Sequence, residues 1–209
     1  AIRAVGFPGF LAYSWGSNVM GITEAEQIEH EYWYRTRLVL PGQQPQWLSD
    51  TAINVNGTTI PLSWNEQLNW IGGVPNAPGA VANFFRTNTD ARSITLDGSK
   101  TIGSLSFNSS FGYTITSGSG GSITLNNAGA GAGVVVPVGS HAINVAVALA
   151  DDVTFNVTSS LSLGGGFTNN AGHAVTKIGV GTLTITGTQA HAAGATFNAN
   201  EGVTNLNSN

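Results

Sequence analysis

From residue 90 onward, apolar and polar residues alternate in runs of four or five, and each run stops at glycine, asparagine or serine. Ser93-Ile94-Thr95-Leu96, Ser104-Leu105-Ser106-Phe107, Tyr113-Thr114-Ile115-Thr116 and Ser122-Ile123-Thr124-Leu125 come first. Ile143 to Val147, Val153 to Val157, Ser160 to Leu163, Thr182 to Thr186 and Val203 to Leu206 continue the pattern. A period of two puts alternate side chains on one face, so each run reads as a strand with one buried side. Turn signals between them, such as Asp97-Gly98, Ser117-Gly118-Ser119-Gly120-Gly121 and Gly164-Gly165-Gly166, leave little room for crossover helices. The region is all β.

Short strands with a loose repeat admit a sandwich or a parallel β-helix. The apolar kernels at Ile94, Leu105, Ile115, Ile123, Leu161, Leu183 and Val203 return at irregular intervals, as they do when each coil holds two or three strands joined by variable turns. A sandwich more often shows longer strands and a charged outer face. Here only 9% of residues are charged, against roughly 25% in an ordinary soluble domain, and Thr, Ser and Asn stand where Lys and Glu would. The repeat favours the parallel β-helix over the sandwich, with Leu96, Leu105, Ile115, Ile123, Val145, Phe155, Leu163 and Leu183 pointing into its core.

Composition also narrows the chemistry. Without cysteine, disulfides, thiolate metal sites and cysteine nucleophiles are excluded. A net charge of −4, with 7 scattered Lys and Arg, gives no basic face for nucleic acid. No apolar run is long enough to span a membrane, and the N-terminus lacks the pattern of a signal peptide, so a mature or trimmed chain is expected.

Residues 1–50 follow different rules. They hold 8 of the 18 charged residues and the aromatic pieces around Phe7, Phe10, Trp15, Tyr32, Trp33 and Tyr34. Thr23 and Glu26 have the spacing of a capping box, and Pro41-Gly42 would end a helix, although Tyr32 to Tyr34 also suit a strand. Two units are therefore expected: residues 1–50 as a capping or assembly segment that can contain one short helix, and residues 51–209 as the solenoid. At their junction, Asn56-Gly57 within Ile53 to Ile60 is a hairpin signal.

Ser63-Trp64-Asn65, Asn69-Trp70, Gly72-Gly73-Val74-Pro75-Asn76 and Gly79 to Phe84, followed by Ser93 to Gly98 and Ile102 to Leu105, form an ordered succession. Gly139 to Ile143, Leu149 to Asp152, Gly172 to Gly179 and Gly181 to Gly187 extend it. Over residues 60–209 this succession resembles bacterial autotransporter-associated β-strand repeat proteins. The resemblance implies a secreted or cell-surface protein built as a right-handed β-helix, and it supplies no reaction. The chain carries no translocator barrel, so surface attachment is an expectation about a longer parent, and residues 1–50 lie outside the resemblance.

Candidate sites compete with structural roles. Asp151-Asp152 is the only adjacent carboxylate pair and could bind calcium or act as acid and base, but neighbours on a strand face opposite ways, and a turn in which Asp bonds backbone is favoured. His141, His173 and His191 could serve Ser140 or a metal, yet no motif brings them together. The glycine-rich Ser117 to Ser122 lacks the lysine and helix of a phosphate loop. Thr114-Ile115-Thr116 and Thr182 to Thr186 could align into an ice-binding or sugar-binding ladder, although Thr is also simply a good strand residue. Trp64, Trp70 and Trp33 are candidates for stacking on sugar rings, with capping of the solenoid end as the alternative for the first two. Phe7, Phe10, Trp15, Tyr32, Trp33 and Tyr34 are candidate assembly residues. No catalytic residue, metal or cofactor is expected. The expected function is an extracellular structural or adhesive surface protein that self-associates through a solenoid end or the N-terminal segment. Alternatives are a carbohydrate-binding module or, less favoured, a polysaccharide-active enzyme.

Overall fold

Alternating strands bury one face only if something closes over it, and here successive strands of the chain close over one another. The computed structural model describes residues 44–49, 53–55, 58–85 and 90–207. It is a β-solenoid of about six turns. Each coil visits three parallel sheets in turn. Sheet I stacks Val81–Phe84, Ser104–Asn108, Ala132–Val138, Val153–Val157, Ala174–Ile178 and Thr196–Ala199. Sheet II stacks Ser99–Ile102, Ser122–Leu125, Ala146–Leu149, Phe167–Asn169 and Gln189–His191. Sheet III stacks Arg92–Leu96, Tyr113–Ser117, Ser140–Asn144, Ser160–Leu163, Thr182–Ile185 and Val203–Leu206.

Register turns the sequence alternation into continuous rows. Ile94, Ile115, Ile143, Leu163, Ile185 and Leu206 are successive partners in sheet III, and the first five are buried. Leu105, Val134 and Phe155 form an inward row of sheet I, and Ile123, Val147 and Phe167 one of sheet II. All eight side chains expected in the core are 0 or 1% exposed. Removing a Leu or Phe of this size from water contributes about 1.5–3 kcal/mol, so these rows are the main favourable term in the fold.

The two ends of the stack differ. At the N-terminal end Gln46–Trp47 pairs antiparallel with Trp70–Ile71, and Gln46 opposes Asn83 on the first coil of sheet I. Trp47, Trp64, Trp70 and Phe84 are fully buried there, with Trp47 edge-on to Trp70 at 5.2 Å and Trp64 5.0 Å from Trp70. Ser63 bridges to Thr95 of sheet III, and Asn76 Oδ1 accepts the Thr101 N–H on the first strand of sheet II. This cap engages all three sheets and hides the unpaired edges that an open coil presents. At the other end Gln189–His191, Thr196–Ala199 and Val203–Leu206 are the last strands of their sheets, and Val203 and Leu206 are half exposed.

The cap includes Trp47, which falls within the expected N-terminal segment and packs in the same core as the first coil. Ile53–Val55 and Thr58–Ile60 pair antiparallel as the hairpin signal implied. The Asn56-Gly57 turn lies outside the described residues, as do the expected helix after Thr23 and the assembly candidates Phe7, Phe10, Trp15, Tyr32, Trp33 and Tyr34.

Candidate functional site

The corner that carries Asp151-Asp152 lies between Ala146–Leu149 of sheet II and Val153–Val157 of sheet I. The two carboxylates diverge. Asp151 is buried and accepts the backbone N–H groups of Asn127 and Gly129 on the preceding coil, the latter at 3.0 Å. Ala128 between them has φ of +55°, a left-handed conformation that helps the turn aim successive amides at one anion. Asp152 is exposed and turns to the following coil, where its Oδ1 accepts the Ala174 N–H at 2.8 Å and faces His173 Nδ1 at 3.6 Å. With Gly129, Ala130 and Gly131 these residues line an open cleft of about 370 Å³.

A glycosidase pair needs two carboxyl groups facing one bond, one free to give a proton and the other to attack or activate water. Both Asp151 oxygens are held by backbone amides, and Asp152 points to the next coil, so the cleft does not present that pair. Each acid clips one coil to a neighbour 22 or 24 residues away. Asp97 and Glu201 do the same, accepting the Ser119 and Gly179 N–H groups at 2.6 and 2.7 Å. The glycine-rich Ser117 to Ser122 segment is thus a turn built against Asp97.

The histidines occupy separate places. His141 is buried in sheet III with both ring nitrogens engaged by backbone, so it is not free to act as a base for the neighbouring Ser140. His173 faces Asp152, and His191 lies on the last coil of sheet II, 3.3 Å from Gln189 Oε1. Among the described residues no three His, Asp or Glu side chains gather in a group able to hold a metal ion.

Trp64 and Trp70 are fully buried and turn their ring N–H groups inward, to Pro75 O at 3.2 Å and Trp64 O at 2.8 Å. A sugar has no ring face to stack on at either position, because both tryptophans are spent on the cap. Trp33 lies outside the described residues. The threonine pieces do align. On the outer face of sheet III the partners Ser93, Thr114, Ala142, Ser162, Thr184 and Asn205 form one row, and Thr95, Thr116 and Asn144 form another. Ser140, Ser160 and Thr182 form a third. The rows carry no charge, and their neighbours lie about 4.8 Å apart along the stack.

One buried group escaped the sequence reading. Lys177 follows Phe155 in an inward row of sheet I and is 0% exposed. Its Nζ donates to the carbonyls of Val157, Ile178, Gly179 and Glu201, at 2.5 to 3.4 Å, tying three successive coils. Burial pushes its pKa down and the Glu201 carboxylate opposes that shift. Gly179 permits the approach: its φ is +82°, and a Cβ there would lie 2.6 Å from the Val157 carbonyl oxygen. The signal was available, since alternation from Val175 places residue 177 on the inner face.

Comparison with protein-family models, curated proteins and solved structures returns no match. The fold defines the class: a parallel β-solenoid whose N-terminal end is capped by Trp47, Trp64 and Trp70, with few charged residues.

Proposed function

We propose that this chain is an extracellular structural or adhesive scaffold of a bacterial cell surface, in which the solenoid itself is the working part. The observation that carries the reading is the use of the candidate reactive groups. Asp151, Asp152 and His141 hold backbone of neighbouring coils, as does the buried Lys177, which is the chemistry of a rigid rod. The resemblance of residues 60–209 to autotransporter-associated repeats supports the extracellular setting. Self-association through a solenoid end or the N-terminal segment belongs to this reading.

The test combines protease accessibility on intact cells of the source organism with electron microscopy of the purified chain. Digestion of the protein on intact cells and particles joined end to end are expected. A protected chain that remains a separate globule would contradict the proposal.

A second reading, binding of a neutral polysaccharide, is favoured by the aligned hydroxyls of sheet III and not by Trp64 or Trp70. Retention on microcrystalline cellulose or chitin, lost in the Thr114→Lys and Thr184→Lys double variant, is its expected result. Equal retention of both proteins would reject this face as the site. Release of sugar from polysaccharide, abolished in Asp151→Asn or Asp152→Asn, would instead support an enzyme.

A further inference from the structure

We propose that His141 is an acid-released latch at the corner between sheets I and III, freeing the start of Ser140–Asn144 from Tyr113–Ser117 when the imidazole takes a second ring proton. The corner is irregular because Ala132–Val138 contains Pro137, which has no N–H for the ladder, and the register against Ser104–Asn108 shifts between Val135 and Val138. Gly139 then turns the chain with φ of +84°, at a position where a Cβ would collide with the Ser109 carbonyl and the His141 ring. Ser140 and His141 pair with Ser160 and Leu161 on the following strand, but pairing with Tyr113–Ser117 begins only at Ala142 opposite Thr114. The amide just before it, on Tyr113, donates to His141 Nδ1 at 3.0 Å. The side chain thus replaces a missing ladder acceptor.

This geometry fixes the neutral tautomer. Nδ1 must offer a lone pair to the Tyr113 N–H, so the ring proton sits on Nε2, 3.0 Å from the Val138 carbonyl. Phe107 stacks on the ring at 4.8 Å and 11°, and Tyr113 lies 6.0 Å away at 18°. Tyr113 and, one strand further along the same row, Arg92 are the ionisable side chains of the flanking strands. Ser104–Asn108, Ala132–Val138, Ser160–Leu163 and the corner residues 109–112 and 137–139 contribute none. Among the described residues of these strands and corners no carboxylate is placed to welcome a cation, and burial lowers the imidazole pKa against the opposing pull of the Val138 and Ser109 carbonyls.

Protonation would set an Nδ1–H against the Tyr113 N–H, two donors with no acceptor between them. The sign follows from the lowered folded pKa. Stability from neutral His141 is complete above about pH 6.5, the unfolded value, and declines as pH falls towards the folded value. Release would uncover the Phe107 face that now stacks on the ring, adding apolar surface that exists only in acid.

Amide hydrogen exchange on the full chain, read by NMR from pH 7.5 to 4.5 with the His141 ring titration in the same samples, tests this. The Tyr113 protection factor should fall at least tenfold as the ring protonates, while Phe155 and Leu163 keep theirs. In His141→Asn, whose side-chain oxygen can accept the amide without titrating, Tyr113 protection should not change with pH. His141→Gln serves the same purpose if the Asn variant does not fold. Unchanged Tyr113 protection in the wild type, loss shared with Phe155 and Leu163, or the same loss in the nontitrating variant would each overturn the proposal.

Discussion

Lys177 shows how a charged residue can belong to a core. Its aliphatic stem fills the row between Phe155 and Ala199, and its ammonium satisfies carbonyls from three coils. Removing the donor while keeping the stem strands those oxygens in an apolar interior, where each unsatisfied group costs about 1–3 kcal/mol. Lys177→Met should therefore lower unfolding free energy in urea by about 2–4 kcal/mol, although it makes the core more apolar. An unchanged midpoint would show that the four carbonyls find other donors. Asp151 follows the same logic at lower stakes. Asp151→Ala should cost about 1–3 kcal/mol by the same measurement, because two coil amides lose their acceptor. Both roles were partly legible in the sequence. The alternation placed residue 177 inward, and the preference of Asp for turns favoured a backbone partner for residue 151. Which coil supplies that partner was not legible, since only the stacking brings residues 127 and 151 together.

At the scale of the strand, inner and outer faces should respond very differently to substitution. Leu161 and Leu183 are inward partners on adjacent coils and fully buried, while Ser160 and Thr182 are half-buried partners on the outer face. Leu161→Ala should destabilise by about 2–5 kcal/mol, and Thr182→Ala by about 0.5 kcal/mol or less, measured as shifts in the thermal unfolding midpoint. Comparable shifts would mean that the strand is not buried on one side. Strand positions were readable because a period of two is a local property: Leu96, Leu105 and Phe155 needed no tertiary information. Coil boundaries were not. Ser, Gly and Asn mark a corner without giving its length, and the irregularity around Pro137 depends on pairing with a strand far earlier in the chain.

Across the molecule, polarity along the solenoid axis is the main consequence. Trp47, Trp64, Trp70 and Phe84 close the N-terminal end. Trp47→Ala should cost about 3–5 kcal/mol and increase hydrogen exchange first in the strands nearest the cap. Uniform loss of protection along the stack would argue against a local cap. The packing of Trp47 against Trp70 was not legible in the sequence, because a contact across 23 residues cannot be seen in a local window. The solenoid stacks Ser140–Asn144 directly on Ser160–Leu163, with Ala142 opposite Ser162 and Thr184 one coil further. The chain has no cysteine, so introduced pairs report on that register without interference. Neighbouring parallel strands lie about 4.8 Å apart, within disulfide reach, whereas strands two coils apart are at about twice that spacing. Under mild oxidation, Ala142→Cys with Ser162→Cys should cross-link within single chains, and Ala142→Cys with Thr184→Cys should not. Cross-linking of the second pair in preference to the first, or of neither, would contradict the coil stacking on which the scaffold reading rests.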